Sequence, residues 1–262
     1  LGLVTADEIS DIKDKLDRLG ELAERYICID KLIEFENVAL PKFTAPLIPR
    51  FPNKPVIAVA RDSAFCFIYS ENIELLEKMG CRIEYFSPLT DSAVPDADGL
   101  ILSGGYPELY ASELSANTAM LESVRKCISG GMPTIAECGG FMYLHKILTD
   151  KNGVSHTMVG IIDGECKPTS GLRRFGYITM YPECESMLCM SGKSVKAHEF
   201  HYFESTSCGE AFTAQKIDGR TWKCCHVSNS LYAGFPHINF LSDISLAERF
   251  VMKCVIHGEI NV

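Results

Sequence analysis

Hydrophobic residues recur every three to four positions over the start of the chain, which is the period of an amphipathic helix. The apolar positions are Ile9, Ile12, Leu16, Leu19, Leu22 and Ala23. Thr5 and Glu8 precede all of them with the spacing of a capping box. The pattern predicts that residues 1–37 are helical, with a second short helix over residues 29–35.

The next segment, residues 38–54, is interrupted by proline at short intervals. Proline fixes φ and lacks a backbone donor, so we expect this segment to be extended. Its composition is typical of a linker between domains. Because the first residue is Leu1 and not Met, we expect the chain to begin inside a longer protein.

From residue 55 onward, short apolar runs alternate with helical patterns, which is typical of βαβ units around a parallel sheet. Strands are predicted at 56–60, 82–86, 99–105 and 133–137, with helices at 70–80 and 115–131. Further strand patterns lie at 175–181, 195–205, 222–227 and 233–240, before a last helix at about 242–256. In such sheets, ligands bind beyond the carboxyl ends of the strands.

The charge balance excludes some partners. The 262 residues include 25 Lys and Arg and 34 Asp and Glu, a net charge of −9, and a nucleic-acid partner would favour a basic face. No apolar run approaches the roughly 20 residues of a membrane helix, and no signal peptide is visible. We therefore expect no membrane partner, and the twelve cysteines favour reduced thiols in a cytoplasmic protein.

Metal and phosphate sites are the rival uses of the available motifs. No paired C-x-x-C occurs, and the densest grouping, Cys224–His226, does not have zinc-site spacing, so we predict no metal site. The Gly-Lys-Ser triplet at 192–194 resembles the end of a phosphate loop. Met187 stands where the first glycine of that loop belongs, so we predict an exposed loop.

Cys138 is the cysteine with a chemical context, because it follows a predicted strand and precedes two glycines and a helical pattern. A sharp strand-to-helix turn would lift its sulfur off the sheet, and the helix N-terminus would favour the thiolate. The amide of Gly139 would then point toward a developing oxyanion. A buried structural cysteine at a tight turn fits this segment equally well.

A cysteine nucleophile needs an imidazole, and the chain has seven histidines. His237 lies in a late segment at the edge of a loop. His198 and His201 are three residues apart, so in a strand they would face opposite sides. We place His145 on the helix that follows Cys138, as a solvated or packing residue.

A second glycine turn, at Gly104 and Gly105, follows the third predicted strand. Its amides would suit an oxyanion or a carboxylate. The same pair would also make a plain tight turn, and the residues alone do not separate the two interpretations.

Several segments, in order and at consistent spacing, resemble the C-terminal part of the cobyrinic acid a,c-diamide synthase family. They include "LSGGYPELYASELSANTAM", "AECGGFMYL", "RRFGYIT" and "HEFHYF". In that family this part is a class I, triad-type glutamine amidotransferase domain. The resemblance implies a flavodoxin-like α/β fold, with a mostly parallel sheet flanked by helices. It makes residues 55–262 the glutaminase domain and residues 1–37 the helical remnant of a preceding synthetase domain.

The resemblance also implies roles for single residues. Cys138 matches the nucleophile, and His237 matches the histidine that activates it. The candidates for oxyanion or substrate binding are Gly104, Gly105, Tyr106, Glu108 and Gly139. Many such domains carry a glutamate two residues after the histidine to orient the imidazole, but here that position is Asn239. Glu199, in "HEFHYF", is the substitute we consider as the third member.

The implied reaction is hydrolysis of glutamine through a cysteine thioester, which releases ammonia. The family's synthetase domain uses ATP and Mg²⁺ to activate the a and c carboxylates of cobyrinic acid, a corrin precursor. That body is absent from this chain, so we expect glutamine as the substrate and no cofactor in this domain. The tetrapyrrole carboxylate would be reached through the synthetase domain, and a homodimer is one assembly that the resemblance allows.

Three alternatives stay open. Relatives of the family amidate another tetrapyrrole, Ni-sirohydrochlorin. A glutaminase-like scaffold without activity stays open because of Asn239 and of Met142, which stands where many such domains have glutamine, although Cys138 and His237 are present. An unrelated cysteine hydrolase on a similar sheet is the third, and the segment 103–117 argues against it.

Overall fold

The computed structural model describes residues 9–34, 44, 46–190 and 192–260. The chain divides into two units, Leu1–Leu47 and Ile48–Val262. In the first unit the described helices are α1 (Ile12–Tyr26) and α2 (Ile29–Ile33), and neither buries a residue. The predicted capping box at Thr5 and Glu8 lies outside the described residues.

The described part of the predicted linker, residues 46–54, contains neither helix nor strand. The helices of the first unit agree with the helical pattern, and the division of the chain into a synthetase remnant, a linker and a glutaminase domain stays a prediction.

The second unit alternates strands and helices. Its strands are β1 (Val56–Ala60), β2 (Arg82–Phe86), β3 (Gly99–Leu102), β4 (Thr134–Glu137), β5 (His145–Thr149), β6 (Ser155–Thr157), β7 (Ile162–Pro168), β8 (Arg174–Pro182), β9 (Val195–His201), β10 (Phe203–Ser205), β11 (Phe212–Gln215), β12 (Thr221–Cys224), β13 (His226–Val227) and β14 (Leu231–Gly234). Its α-helices are α3 (Ser70–Lys78), α4 (Ala111–Ala116), α5 (Thr118–Ser129), α6 (Gly139–Tyr143) and α7 (Ile244–Ile260).

A six-stranded sheet forms the centre, with the order β13-β14-β4-β3-β1-β2. All neighbours pair in parallel except β13 and β14. Leaving aside the antiparallel edge strand, this is the 2-1-3-4-5 order of flavodoxin-like folds. The predicted α/β class with a mostly parallel sheet is therefore confirmed.

The burial of the central strands explains why the first of them could be predicted from the sequence. Parallel strands are buried on both faces and become nearly continuous apolar runs, as in β1, where Ile57 to Ala60 are all buried. Ile57 and Val59 belong to the hydrophobic cluster that contains buried residues of α3 and α7. Ala58 and Ala60 belong to the cluster that contains those of α4 and α5, so helices cover both faces.

Two four-stranded sheets are built from the rest of this unit, with the orders β10-β7-β5-β6 and β12-β11-β8-β9. The predicted strands at 175–181, 195–205 and 222–227 are present as β8, as β9 with β10, and as β12 with β13. The predicted strand at 233–240 is wrong beyond Gly234, where β14 ends, and β5, β6, β7 and β11 were missed. The placement of His145 on a helix is wrong, because α6 ends at Tyr143 and His145 begins β5. Residues 139–145 are continuously buried, so no amphipathic period marks the end of the helix.

His145 is a packing residue, as expected, although its setting differs. Its side chain is fully buried, with Nδ1 2.8 Å from the Phe141 carbonyl oxygen and Nε2 2.7 Å from Ser205 Oγ. Both ring nitrogens of His145 thus have hydrogen-bond partners inside the core.

Close packing of α6 on β3 yields a stability prediction. A Cβ on Gly140 would overlap the backbone carbonyl of Leu102. We expect Gly140→Ala to lower the free energy of unfolding by about 1–3 kcal/mol or more, as in other overpacked interiors. The measurement is urea denaturation followed by circular dichroism. Gly171→Ala, at an open position with no atom within 4 Å of the new Cβ, should change it by less than about 0.5 kcal/mol. Equal midpoints for both variants would contradict the packing of α6 on β3.

Candidate active site

Three turns with predicted chemistry meet at one edge of the central sheet. Cys138 follows β4, the glycine pair follows β3, and His237 lies three residues beyond the end of β14. Because β3, β4 and β14 are adjacent and parallel, their carboxyl ends lie together. Residues that are about 100 positions apart in sequence are in this way brought to the same place.

The turn at Cys138 is sharp. Its φ is 49° and its ψ is −100°, a region that residues other than glycine seldom occupy. Its amide donates to the Gly234 carbonyl at 2.8 Å, and its carbonyl accepts from the Met142 amide at 2.9 Å. The predicted strand-to-helix turn is present, with the backbone conformation of a nucleophile elbow.

The glycines allow the neighbouring backbones to approach. A Cβ on Gly139 would lie 2.9 Å from the Gly105 amide nitrogen, so these two segments are in close contact. The Gly139 amide donates toward the Cys138 sulfur. The Tyr106 amide, in contrast, donates to the Ala64 carbonyl at 2.9 Å. Of the predicted oxyanion donors, Gly105 and Gly139 are the pair that the backbone brings together.

Gly104 has a different role in the packing. A Cβ at this position would lie 2.6 Å from Cε1 of His237. Glycine therefore leaves the space that the imidazole ring occupies.

The Cys138 thiol lies in a dry environment, with the residue only 7% exposed. Burial raises its pKa to about 12, and the charges of Glu108, Glu137 and Glu199 raise it further, while the Gly139 amide lowers it. The Gly139 amide, at the N-terminus of the five-residue helix α6, acts in the expected direction toward the thiolate, but burial outweighs it.

His237 is likewise uncharged at neutral pH. Burial lowers its pKa to about 4, and the nearby His198 lowers it too. A neutral imidazole has a free lone pair and is able to accept a proton. The site thus combines a protonated thiol with an unprotonated imidazole.

The "HEFHYF" segment, whose role the sequence left open, holds the backbone of His237. The His198 amide donates to the His237 carbonyl at 3.0 Å, and the His237 amide donates to the His198 carbonyl at 2.8 Å. His201 stacks on Phe235, two residues before His237, with ring centroids 3.9 Å apart. β9 therefore fixes the position of the loop that carries His237, through backbone hydrogen bonds and through ring stacking.

Glu199 and Glu108 contribute charge near the thiol. Glu199 is buried, and its carboxylate lies 3.8 Å from the Arg174 guanidinium. Burial raises its pKa to about 7. Glu108 lies on the 3₁₀ turn Pro107–Leu109, and burial raises its pKa as well. Their catalytic or binding roles stay predictions.

Glu137 is the residue that sequence reasoning missed. Its Oε2 lies 3.8 Å from Nδ1 of His237, and its Oε1 accepts from the Ile238 amide at 2.9 Å. Burial raises its pKa to about 8. Glu137 is the last residue of β4 and directly precedes Cys138. Its position at the end of a predicted strand was therefore evident from the sequence, but its contact with His237 was not.

Among the described residues, no group of three or more His, Cys, Asp or Glu side chains is suited to hold a metal ion. The Gly-Lys-Ser triplet at 192–194 precedes β9 and not a helix, so it lacks the setting of a phosphate loop. The assignment of ATP and Mg²⁺ to a synthetase domain stays a prediction.

No helix in the described segments is both long and apolar enough to span a bilayer.

Comparison with known proteins identifies the family of the domain that carries these residues. Residues 56–244 match the family described as CobB/CobQ-like glutamine amidotransferase domains. The chain is 38% identical over 269 residues to a protein of Fusobacterium nucleatum named cobyrinate a,c-diamide synthase, covering 95% of this chain and 58% of that protein. A protein of the same name from Caldanaerobacter subterraneus is 36% identical, with 98% of this chain and 58% of that protein covered.

The chain therefore spans a little over half the length of these curated relatives. Among solved structures, PurLQS from Thermotoga maritima is 15% identical, has a TM-score of 0.53, and covers 78% of this chain and 99% of its own. At that identity the likeness shows a shared fold and nothing more. The family match covers most of the chain, including β1 to β14 and the turns at Cys138 and His237, and the chain belongs to the CobB/CobQ-like glutamine amidotransferase domain family.

Proposed function

We propose that the chain hydrolyses glutamine at Cys138 and supplies the ammonia to a synthetase portion that amidates tetrapyrrole carboxylates. The observation that carries the proposal is the elbow at Cys138 at the same edge of the sheet as the buried, neutral His237, within a glutamine amidotransferase domain.

The chemical steps follow from the protonation of the two side chains. His237 takes the proton from the Cys138 thiol, and the thiolate attacks the side-chain carbonyl carbon of glutamine. The amides of Gly105 and Gly139 stabilise the resulting oxyanion, and losing one such donor typically costs about 2.7–4 kcal/mol. His237 then gives its proton to the departing ammonia. Water cleaves the thioester, which yields glutamate and restores the thiol.

The burial of Cys138 and His237 affects when the proposed reaction begins. Burial favours the uncharged thiol and imidazole, so the reactive ion pair is not the resting state. The charge created by proton transfer passes to the oxyanion, where the backbone amides are already oriented. Reactivity would therefore depend on a correctly placed amide substrate.

The acceptor of the ammonia belongs to the proposal as well. The relatives named cobyrinate a,c-diamide synthase support cobyrinate carboxylates as the acceptor over those of Ni-sirohydrochlorin. Because the described residues offer no phosphate loop or metal cluster, we assign ATP and Mg²⁺ to the region of the longer relatives that this chain does not span. Glu108 is proposed as a substrate contact, since it acts on the same thiol.

Covalent labelling tests the glutaminase proposal. The glutamine analogue 6-diazo-5-oxo-L-norleucine should alkylate Cys138 alone among the twelve cysteines, as mapped by peptide mass spectrometry. Excess L-glutamine should protect it, because both molecules occupy one site. The label should disappear in Cys138→Ser and in His237→Asn. The control His156→Asn, on β6 and paired with Asp150, should be labelled normally.

Two results would contradict the proposal. One is labelling spread over several cysteines without protection by glutamine. The other is Cys138 labelling that survives His237→Asn, which would leave the imidazole without a role.

The resting protonation state gives a second prediction. Without glutamine, iodoacetamide should modify Cys138 more slowly than the exposed Cys184 at about pH 7.5, because burial raises the pKa of Cys138 to about 12. The rate at Cys138 should rise about tenfold per pH unit up to about pH 10, since the pH stays below that pKa. Quantitative peptide mapping over this range is the measurement. Faster modification of Cys138 than of Cys184 at neutral pH would mean that the thiolate is already formed.

A further inference from the structure

We propose that Glu137 positions His237, taking the place of the glutamate that many related domains carry two residues after the histidine. The inference deepens the proposed glutaminase function and rests on it. It assigns to this chain a Cys138, His237 and Glu137 arrangement in which two members are neighbours in sequence.

The carboxylate of Glu137 reaches both the backbone and the ring of the His237 loop. Its Oε1 accepts from the Ile238 amide at 2.9 Å, while its Oε2 lies 3.8 Å from Nδ1 of His237. The side chain is only 12% exposed, so water does not compete strongly for these contacts. A movement of under about 1 Å would turn the longer contact into a hydrogen bond, and catalytic contacts are often long before substrate binds.

The position of Glu137 follows from strand pairing. Glu137 is paired with Gly234 across β4 and β14, and the His237 loop leaves β14 directly after Gly234. The hydrogen bond from the Ile238 amide, one residue after His237, then holds the Glu137 carboxylate in place. Two independent connections thus hold the acid and the imidazole in register.

The contacts that the structure gives for the other candidates are with residues other than His237. Asn239 accepts from the Leu241 amide through Oδ1 at 2.9 Å and caps the 3₁₀ turn Phe240–Ser242. Glu199 lies beside Arg174. Within the described part of the chain, Glu137 is the carboxylate that lies at ion-pair distance from His237.

The consequence is a choice of tautomer. An ionised Glu137 accepts from Nδ1–H of His237, which leaves the Nε2 lone pair for the thiol proton, and it balances the imidazolium that then forms. The titratable groups that act on this pair from its own and neighbouring elements are Tyr69, Cys138, His198, His201 and Tyr232. None of these is a carboxylate, so the acceptor role falls to Glu137.

Glu137→Gln is the informative variant, because the Ile238 amide still needs an acceptor. The glutamine oxygen should remain on that amide, and its NH₂ group should therefore face Nδ1. Donation to Nδ1 moves the imidazole proton to Nε2, which blocks proton transfer from Cys138. In serine proteases the corresponding aspartate-to-asparagine change lowers kcat by about 10⁴.

The first measurement is the kinetics of inactivation by 6-diazo-5-oxo-L-norleucine. At about pH 9 the wild-type Glu137 carboxyl is ionised, since burial raises its pKa to about 8. At that pH the maximal inactivation rate of Glu137→Gln should be on the order of 10²–10⁴-fold lower than that of the wild type, while the half-saturating concentration stays within about threefold. A merely structural defect would change both. The control Glu84→Gln, on β2 beside Arg82, should behave as the wild type.

The second measurement does not depend on catalysis. Histidine ¹⁵N NMR, with His237→Asn for assignment, should show the Nδ1–H tautomer of His237 in the wild type and the Nε2–H tautomer in Glu137→Gln. The spectra are taken at about pH 9, because burial raises the pKa of Glu137 to about 8 and a protonated carboxyl would itself donate to Nδ1. Glu199→Gln should retain Nδ1–H.

The two measurements together decide whether Glu137 positions His237. A folded Glu137→Gln protein with the wild-type inactivation rate and tautomer would overturn the proposal, and a tautomer change in Glu199→Gln alone would give the role to Glu199. If Glu137→Gln does not fold, Glu137→Asp keeps the charge and should preserve Nδ1–H with a lowered inactivation rate. A wild type that resists the diazoketone would defeat the glutaminase proposal, while the tautomer would still show whether Glu137 positions His237.

Discussion

The parallel pairing of β4 with β14 is the constraint on which the rest of the site depends. It places Glu137 opposite Gly234, and the Cys138 amide then closes the turn on the Gly234 carbonyl at 2.8 Å. That bond holds Cys138 in its strained conformation, and the chain leaving Gly234 carries His237 to the same edge. A shift of this register would separate all three side chains at once.

Burial is the second physical theme of the site. The Cys138 thiol and the His237 imidazole are both kept uncharged, because their charged forms are poorly solvated when they are buried at this edge of the sheet. In the proposed reaction, backbone amides stabilise the oxyanion and the Glu137 carboxylate balances the imidazolium. Glycines at 104 and 139 let the ring and the neighbouring backbone approach closely, which larger residues would prevent.

The outer sheet that contains β8 and β9 supports the site from the side. Its strand β9 pairs with the His237 backbone in both directions, and His201 stacks on Phe235 in the same loop. This segment therefore supports the backbone on which the proposed reaction depends. The arrangement explains why a motif with two histidines and a glutamate lies so far along the chain from the nucleophile.

The sequence by itself determined the elements whose pattern is local. The strands β1 to β4 were predictable because buried parallel strands are continuous apolar runs, and the elbow was predictable from Cys138 and the glycines after it. The family resemblance added the fold class and His237, and the fold class is confirmed. Only the tertiary structure decided the short length of α6, the strand that contains His145, the protonated state of the thiol, and the contact of Glu137 with His237. These depend on burial and on pairing between segments 101 residues apart, which no local period of the chain encodes.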